Sequence, residues 1–90
     1  MQRVAVVGYG IMGQMHCNAY AALPNAELAA VVDPVTEKQE KARADHGVAT
    51  VSQLKSVLDD TSIGLVDICL PTYMHQEATV AALAAGKHVL

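Results

Sequence analysis

Val4-Ala5-Val6-Val7-Gly8-Tyr9-Gly10-Ile11-Met12-Gly13 decides the fold, and Asp33 follows Gly13 by twenty residues at the end of a second apolar run, Leu28 to Val32. An apolar strand leading into Gly-x-Gly-x-x-Gly and a helix is the pattern of a dinucleotide-binding βαβ unit. Gly8 permits the tight turn, Gly10 lets backbone approach a diphosphate, and Gly13 lets the helix pack on the strand. The helix opening near Ile11 and Met12 aims its unpaired N–H groups and the positive end of its dipole at the same point, so the diphosphate is held by backbone and no lysine is required.

Outward from this unit, strands and helices alternate along the whole chain. The pattern predicts a strand over 3–7, a helix over 11–22 stopped by Leu23-Pro24-Asn25, and a strand over 28–32 stopped by Asp33-Pro34. Thr36 to Gln39 has the spacing of a capping box, opening a polar surface helix that runs to about His46, with Gly47 as its left-handed end. A short strand over 48–51 follows, then a brief helix capped by Ser52 with an apolar stripe of Leu54, Val57 and Leu58. Leu65 to Leu70 reads as a fourth strand closed by Pro71, about His75 to Ala85 as a helix, and His88 to Leu90 as a fifth strand. Short connections and right-handed crossovers make this an α/β chain, a doubly wound parallel Rossmann sheet of five strands in the order 3-2-1-4-5.

Bulk properties bound the function. Ninety residues allow one domain, since domains commonly run about 100–150 residues. The 52% apolar content, with no Phe or Trp, suits a parallel sheet covered on both faces. A net charge of −3 without a lysine or arginine run argues against nucleic acid or an anionic membrane as partner. No stretch reaches the roughly 18 apolar residues of a membrane span, and Gly8 and Gly10 interrupt any signal-peptide core, so a cytoplasmic location is expected. Cys17 and Cys69 lack the spacing of a metal clip and read as reduced, mostly buried thiols. His16 reads as a packing or polar-cap residue, His46 and His88 as solvent-facing or edge positions, and no metal site is expected. The chain has neither a Gly-x-Ser-x-Gly elbow nor a Walker lysine, which removes support for hydrolysis and phosphoryl transfer.

Two places carry the expected ligand chemistry. Asp33 can accept hydrogen bonds from the adenosine ribose hydroxyls and would repel a 2′-phosphate, which favours NAD over NADP; Lys38, close in sequence, leaves NADP open. The bland alternative is a solvent-facing turn residue before Pro34. In open parallel sheets ligands bind beyond the carboxyl ends of the strands where strand order reverses, and Leu70-Pro71-Thr72-Tyr73-Met74-His75 lies there. Leu70, Pro71 and Thr72 are expected to line the cofactor, and His75 either reaches its nicotinamide side or merely begins a helix.

These residues resemble the N-terminal domain of the glucose-fructose oxidoreductase, inositol dehydrogenase and rhizopine-catabolism family (Gfo/Idh/MocA). The resemblance extends from the glycine motif with His16, through Pro24 to Asp33 and Val66 to His75, to the more specific closing Ala85-Gly86-Lys87-His88-Val89. It implies a parent NAD- or NADP-dependent oxidoreductase acting on a sugar, polyol or related alcohol, with cofactor contacts at Gly8, Gly10, Ile11, Met12, Gly13, Asp33, Leu70, Pro71, Thr72 and His75. In the family a Glu-Lys-Pro segment and a second α/β domain supply the catalytic residues and the substrate pocket. This sequence stops at Leu90, before both, so residues 1–90 are expected to form a single cofactor module that binds dinucleotide without catalysing. An apolar sheet edge left open there would invite self-association. The alternative from another class is a standalone, non-catalytic nucleotide-binding or assembly module; a coenzyme A or S-adenosylmethionine site on the same fold is weaker.

Overall fold

In the computed structural model, which describes residues 1–90, the elements run β1 (Gln2–Val7), α1 (Ile11–Ala22), β2 (Ala26–Val32), α2 (Thr36–His46), β3 (Ala49–Val51), α3 (Leu54–Leu58), β4 (Leu65–Ile68), α4 (Thr72–Ala84) and β5 (His88–Val89). The five strands form one parallel sheet in the order β3-β2-β1-β4-β5, as the alternation requires. β1 is central because it is apolar on both faces, with Val4, Ala5, Val6 and Val7 all buried.

Alternation along β1 divides the core in two. Ala5 and Val7 pack with Ala30, Val32, Val66 and Ile68 against Val57 of α3 and Ala78 and Ala82 of α4. Val4 and Val6 face the other way, with Val31, Cys17 of α1 and Ala42 of α2. Ala78 and Ala82 are small, so α4 lies close against the sheet, while its outer face leaves Val80 and Leu83 exposed.

Local signals are met in part. Gly47 ends α2 in the left-handed region at φ 61°, donating its N–H to Arg43. The capping box over Thr36 to Gln39 does not form. Val35 is the cap residue and makes no side-chain cap bond; Gln39 instead donates its amide to the Asp33 carbonyl and to Ser52 Oγ. Ser52, held in that way, does not cap α3, whose cap residue is Gln53. β4 ends at Ile68, two residues early, and α4 begins at Thr72 rather than near His75. Both shifts follow from Pro71: its fixed φ of −54° pre-sets the first turn of a helix, so the helix starts at once. His46 is half-buried with its ring edge-on to Tyr9, and is not solvent-facing; His88 is exposed.

Candidate dinucleotide site

The glycine turn bridges β1 and α1, and its three glycines have measurably different surroundings. Gly8 sits at φ +99°, and a Cβ there would lie 2.6 Å from the Cys69 carbonyl oxygen. A Cβ on Gly13 would fall 1.9 Å from the Gly8 carbonyl oxygen, so α1 and the turn share a contact that only glycine permits. A Cβ on Gly10 would meet nothing within 4 Å; it would project into open space above the turn. Two glycines are thus fixed by packing, while nothing within the chain itself requires glycine at the third, which leaves the space above Gly10 open to backbone approach.

Gly10 caps α1 without a side-chain hydrogen bond, and the first turn holds no acid. Its N–H groups are therefore neither satisfied by a cap nor screened by a carboxylate, and face the space above Gly10. The backbone of the turn is itself anchored: Gly8 N–H donates to the Val32 carbonyl at 2.7 Å and Cys69 N–H to the Val7 carbonyl at 2.8 Å.

Asp33 closes the other side of this cleft. It is only 4% exposed, with Oδ2 accepting from the Tyr9 N–H at 3.0 Å and Oδ1 from the Val35 N–H at 2.9 Å. The burial and the long-range bond from Tyr9 are not those of a solvent-facing turn residue, whereas the bond from Val35 is an ordinary Asx turn. Each carboxylate oxygen retains a further acceptor position, so the group is oriented and can still take two hydroxyl donors. The cleft has a volume of about 380 Å³ and is walled by Gly8, Gly10, Ile11 and Met12 on one side, Asp33 and Lys38 at one end, and Cys69, Leu70 and Pro71 opposite.

Most of the expected site residues therefore meet in one place. Gly13 lies beneath the turn as a packing residue. Thr72 and His75 line an adjoining cleft of about 580 Å³ that shares Leu70. His75 is half-buried, and its Nδ1 lies 3.3 Å from Thr79 Oγ1. Leu70 also borders a third, mostly apolar groove between α3 and α4, with Leu54, Tyr73 and Met74.

Sequence reasoning missed Tyr9, which sits between two glycines and is 1% exposed. Its hydroxyl donates to Asp45 at 2.7 Å while its N–H holds Asp33, so one residue ties α2 to the glycine turn. Burial and the Asp45 carboxylate hold its phenol well above the usual range, and Tyr9 and Lys41 together hold the Asp45 carboxyl below its own. It also missed a polar cluster beneath the turn. Asp67 is 1% exposed in β4 and accepts from Tyr20 Oη at 2.7 Å, with His16 Nδ1 at 2.6 Å. Cys69 Sγ lies 3.5 Å from His16 Nδ1 and 3.6 Å from Asp67 Oδ1. Burial, reinforced by the Asp67 charge, pushes the Cys17 and Cys69 thiols up to about 12 and raises the Tyr20 phenol. One signal was available: an acid inside an apolar strand must find partners elsewhere in the chain.

Residues 2–90 match the family model described as "Oxidoreductase family, NAD-binding Rossmann fold", and the chain belongs to that family. It is similar to a levoglucosan dehydrogenase of Pseudarthrobacter phenanthrenivorans, 35% identical over 97% of this chain and 25% of that protein. An inositol 2-dehydrogenase of Streptomyces avermitilis is 38% identical over 97% and 26%. Among solved structures, an NAD-binding protein from Listeria innocua superposes with a TM-score of 0.90 at 38% identity, covering 98% of this chain and 26% of that one. A scyllo-inositol dehydrogenase from Lactobacillus casei, with bound NAD(H) and scyllo-inositol, superposes at 0.91 with 28% identity, covering 99% and 27%. The chain spans about a quarter of the length of these relatives. No helix is long and apolar enough to cross a membrane.

Proposed function

We propose that residues 1–90 are the cofactor-binding part of a dehydrogenase that oxidises a sugar, polyol or related alcohol, and that they bind NAD in preference to NADP without catalysing on their own. The observation that carries this reading is the pair formed by the open face of Gly10 and the carboxylate of Asp33, held by the Tyr9 and Val35 N–H groups at the end of the same cleft. A diphosphate above Gly10 receives the first N–H groups of α1, and the ribose hydroxyls donate to Asp33. The cofactor, when bound, supplies a hydride acceptor; the chain's own part is to fix the adenosine diphosphate half by backbone and one acid. Leu70, Pro71, Thr72 and His75 extend the wall toward the nicotinamide end.

Preference for NAD follows from charge. A 2′-phosphate would sit against a buried carboxylate with Lys38 the one cation bordering the cleft. The substrate class comes from relatives whose names specify levoglucosan and inositol dehydrogenation. That residues 1–90 do not catalyse on their own is supported by their spanning about a quarter of the length of the dehydrogenases they resemble. Self-association completes the reading, supported by the apolar side chains that α4 leaves exposed, Val80 and Leu83.

Calorimetric titration of the chain with NAD and with NADP is the test. Saturable NAD binding with weaker NADP supports the reading, and no binding of either overturns it. Hydride transfer from an alcohol by the 90-residue chain would remove the non-catalytic part, and a monomeric mass across a concentration series in light scattering would remove self-association.

A further inference from the structure

The side chains of His16, Asp67 and Cys69 converge beneath α1 at the end of β4; Cys69 also borders the dinucleotide cleft, but the dinucleotide reading gives none of the three side chains a role. Asp67 in β4 and Cys69, one residue past its end, stand two apart, and His16 and Tyr20 stand four apart on α1 above them. The ligand atoms of His16, Asp67 and Cys69 all lie within 4.8 Å of one another. We propose that these three residues form a binding site for a zinc-class divalent cation, with His16 Nδ1, Asp67 Oδ1 and the Cys69 thiolate as ligands and a fourth coordination position left to solvent.

The geometry fits that ion closely. Zinc bonds of about 2.3 Å to sulfur and about 2.0–2.1 Å to nitrogen or oxygen place tetrahedral ligand pairs roughly 3.3–3.6 Å apart. Cys69 Sγ is 3.5 Å from His16 Nδ1 and 3.6 Å from Asp67 Oδ1. In the metal-free cluster the thiol donates to Asp67 Oδ1 and accepts from His16 Nδ1–H, and the same atoms that make this network stand at metal-ligand spacing. The departure from the metal geometry is the 2.6 Å contact between His16 Nδ1 and Asp67 Oδ2. Oδ2 is not the proposed ligand, so this contact has to break as Nδ1 turns to a metal held beside Oδ1. The His16 side chain is 37% exposed and Asp67 2%, so the imidazole is the group free to move.

Charge and surroundings point the same way. Asp67 is buried, and the ion pairs of the chain give it no lysine or arginine. One carboxylate and one thiolate neutralise a divalent cation without leaving net charge in the core. Tyr20 Oη donates to Asp67 Oδ2, leaving Oδ1 to turn toward the sulfur, the kind of outer contact that orients a carboxylate ligand. On binding, the Cys69 thiol loses its proton to solvent, the sulfur–metal bond forms, and the imidazole proton resides on Nε2 while Nδ1 takes the metal. One proton is released per ion and nothing is oxidised or reduced.

The test is a titration of the full chain with cobalt(II) as spectroscopic probe and zinc(II) as competitor, in the absence of nucleotide. One equivalent of cobalt is expected to produce a thiolate-to-metal charge-transfer band that one equivalent of zinc abolishes. Cys69→Ser removes the band, Cys17→Ser keeps it, and Tyr20→Phe weakens binding about tenfold; circular dichroism checks that each variant is folded. In the unmodified chain, zinc is expected to protect Cys69 from alkylation, read by mass spectrometry, so the proposal does not depend on a variant folding. A featureless cobalt spectrum, a band that survives Cys69→Ser, or unchanged alkylation of Cys69 with zinc present would overturn it.

Discussion

The two faces of the sheet are built from different chemistry. Against α3 and α4 the buried apolar side chains are Ala, Val and Ile, with the buried Lys87 donating its ammonium to the Asp60 and Ile63 carbonyls at their margin. Against α1 and α2 the core includes Tyr9 and Cys17 and adjoins Asp67, Tyr20 and Cys69. The apolar face is held by area and fit. The polar face is held by a few directed bonds, and the glycine turn and Asp33 are attached to it through Tyr9. Rigid backbone where the diphosphate is expected is therefore set by contacts that cannot relax, while the α4 side of the cleft is a helix face with exposed side chains.

The largest effect that would break this contrast comes from the glycines. Gly13→Ala forces a Cβ against the Gly8 carbonyl, where backbone meets backbone, and is expected to cost about 3 kcal/mol or more in urea unfolding. Gly10→Ala, with φ at −79° and open space above it, should change stability by less than about 1 kcal/mol. The same variant should weaken NAD by at least about tenfold in calorimetry. Equal stability losses in the two variants would mean that Gly10 serves packing and is not left open to backbone approach.

The faces also differ in response to alkali. Thiols and phenols whose folded-state pKa is raised bind protons in the native chain after the unfolded chain has lost them, so stability is complete below the unfolded value and falls as pH rises. For Cys17 the interval runs from 9.0 to about 12, at up to about 1.4 kcal/mol per pH unit, and the raised Tyr9 and Tyr20 phenols steepen it above 10.0. Urea midpoints from pH 8 to 11 should decline, and Cys17→Ala should flatten the decline. Ile68→Val, on the apolar face, is expected to cost about 1 kcal/mol at every pH. A pH-dependent cost there would put titrating groups on both faces.

The apolar face was nearly all legible in the sequence, because alternation along Val4 to Val7 and the small residues of α4 follow one rule each. Strand order followed from the alternation of elements, and Gly8, Gly10 and Asp33 from a motif whose spacing is set by the βαβ unit. What the chain did not disclose depends on partners far apart in sequence. Ser52 reads as a helix cap until Gln39 reaches it across 13 residues, and the His16, Asp67 and Cys69 cluster joins positions 51 and 53 residues apart. Tyr9 had no signal at all, since the middle position of Gly-x-Gly is unconstrained by the motif.

A smaller effect is expected from Asp33→Asn. The amide oxygen can keep only one of the two N–H bonds, to Tyr9 or to Val35, because these go to different oxygens of Asp33 and the Asn NH2 cannot accept; the charged acceptor is lost as well. Hydrogen bonds to charged groups contribute about 1.5–3 kcal/mol, so NAD affinity should fall about tenfold or more while NADP affinity holds or rises. An unchanged ratio of the two affinities would show that Asp33 orients the Tyr9 backbone and does not meet the ribose.

The smallest effect belongs to the α4 side. His75 is half-buried with Thr79 as its hydrogen-bond partner, in a cleft that adjoins the glycine turn only through Leu70. Nothing holds its ring toward the cleft as Tyr9 holds Asp33, so contact with a cofactor has to offset the cost of ordering the ring. His75→Ala should therefore weaken NAD by less than about threefold, under about 0.7 kcal/mol. A loss as large as that of Asp33→Asn would mean that the α4 wall is as rigid toward the dinucleotide as the glycine turn. The difference between the two faces would then end at the core and not extend to the cleft they jointly enclose.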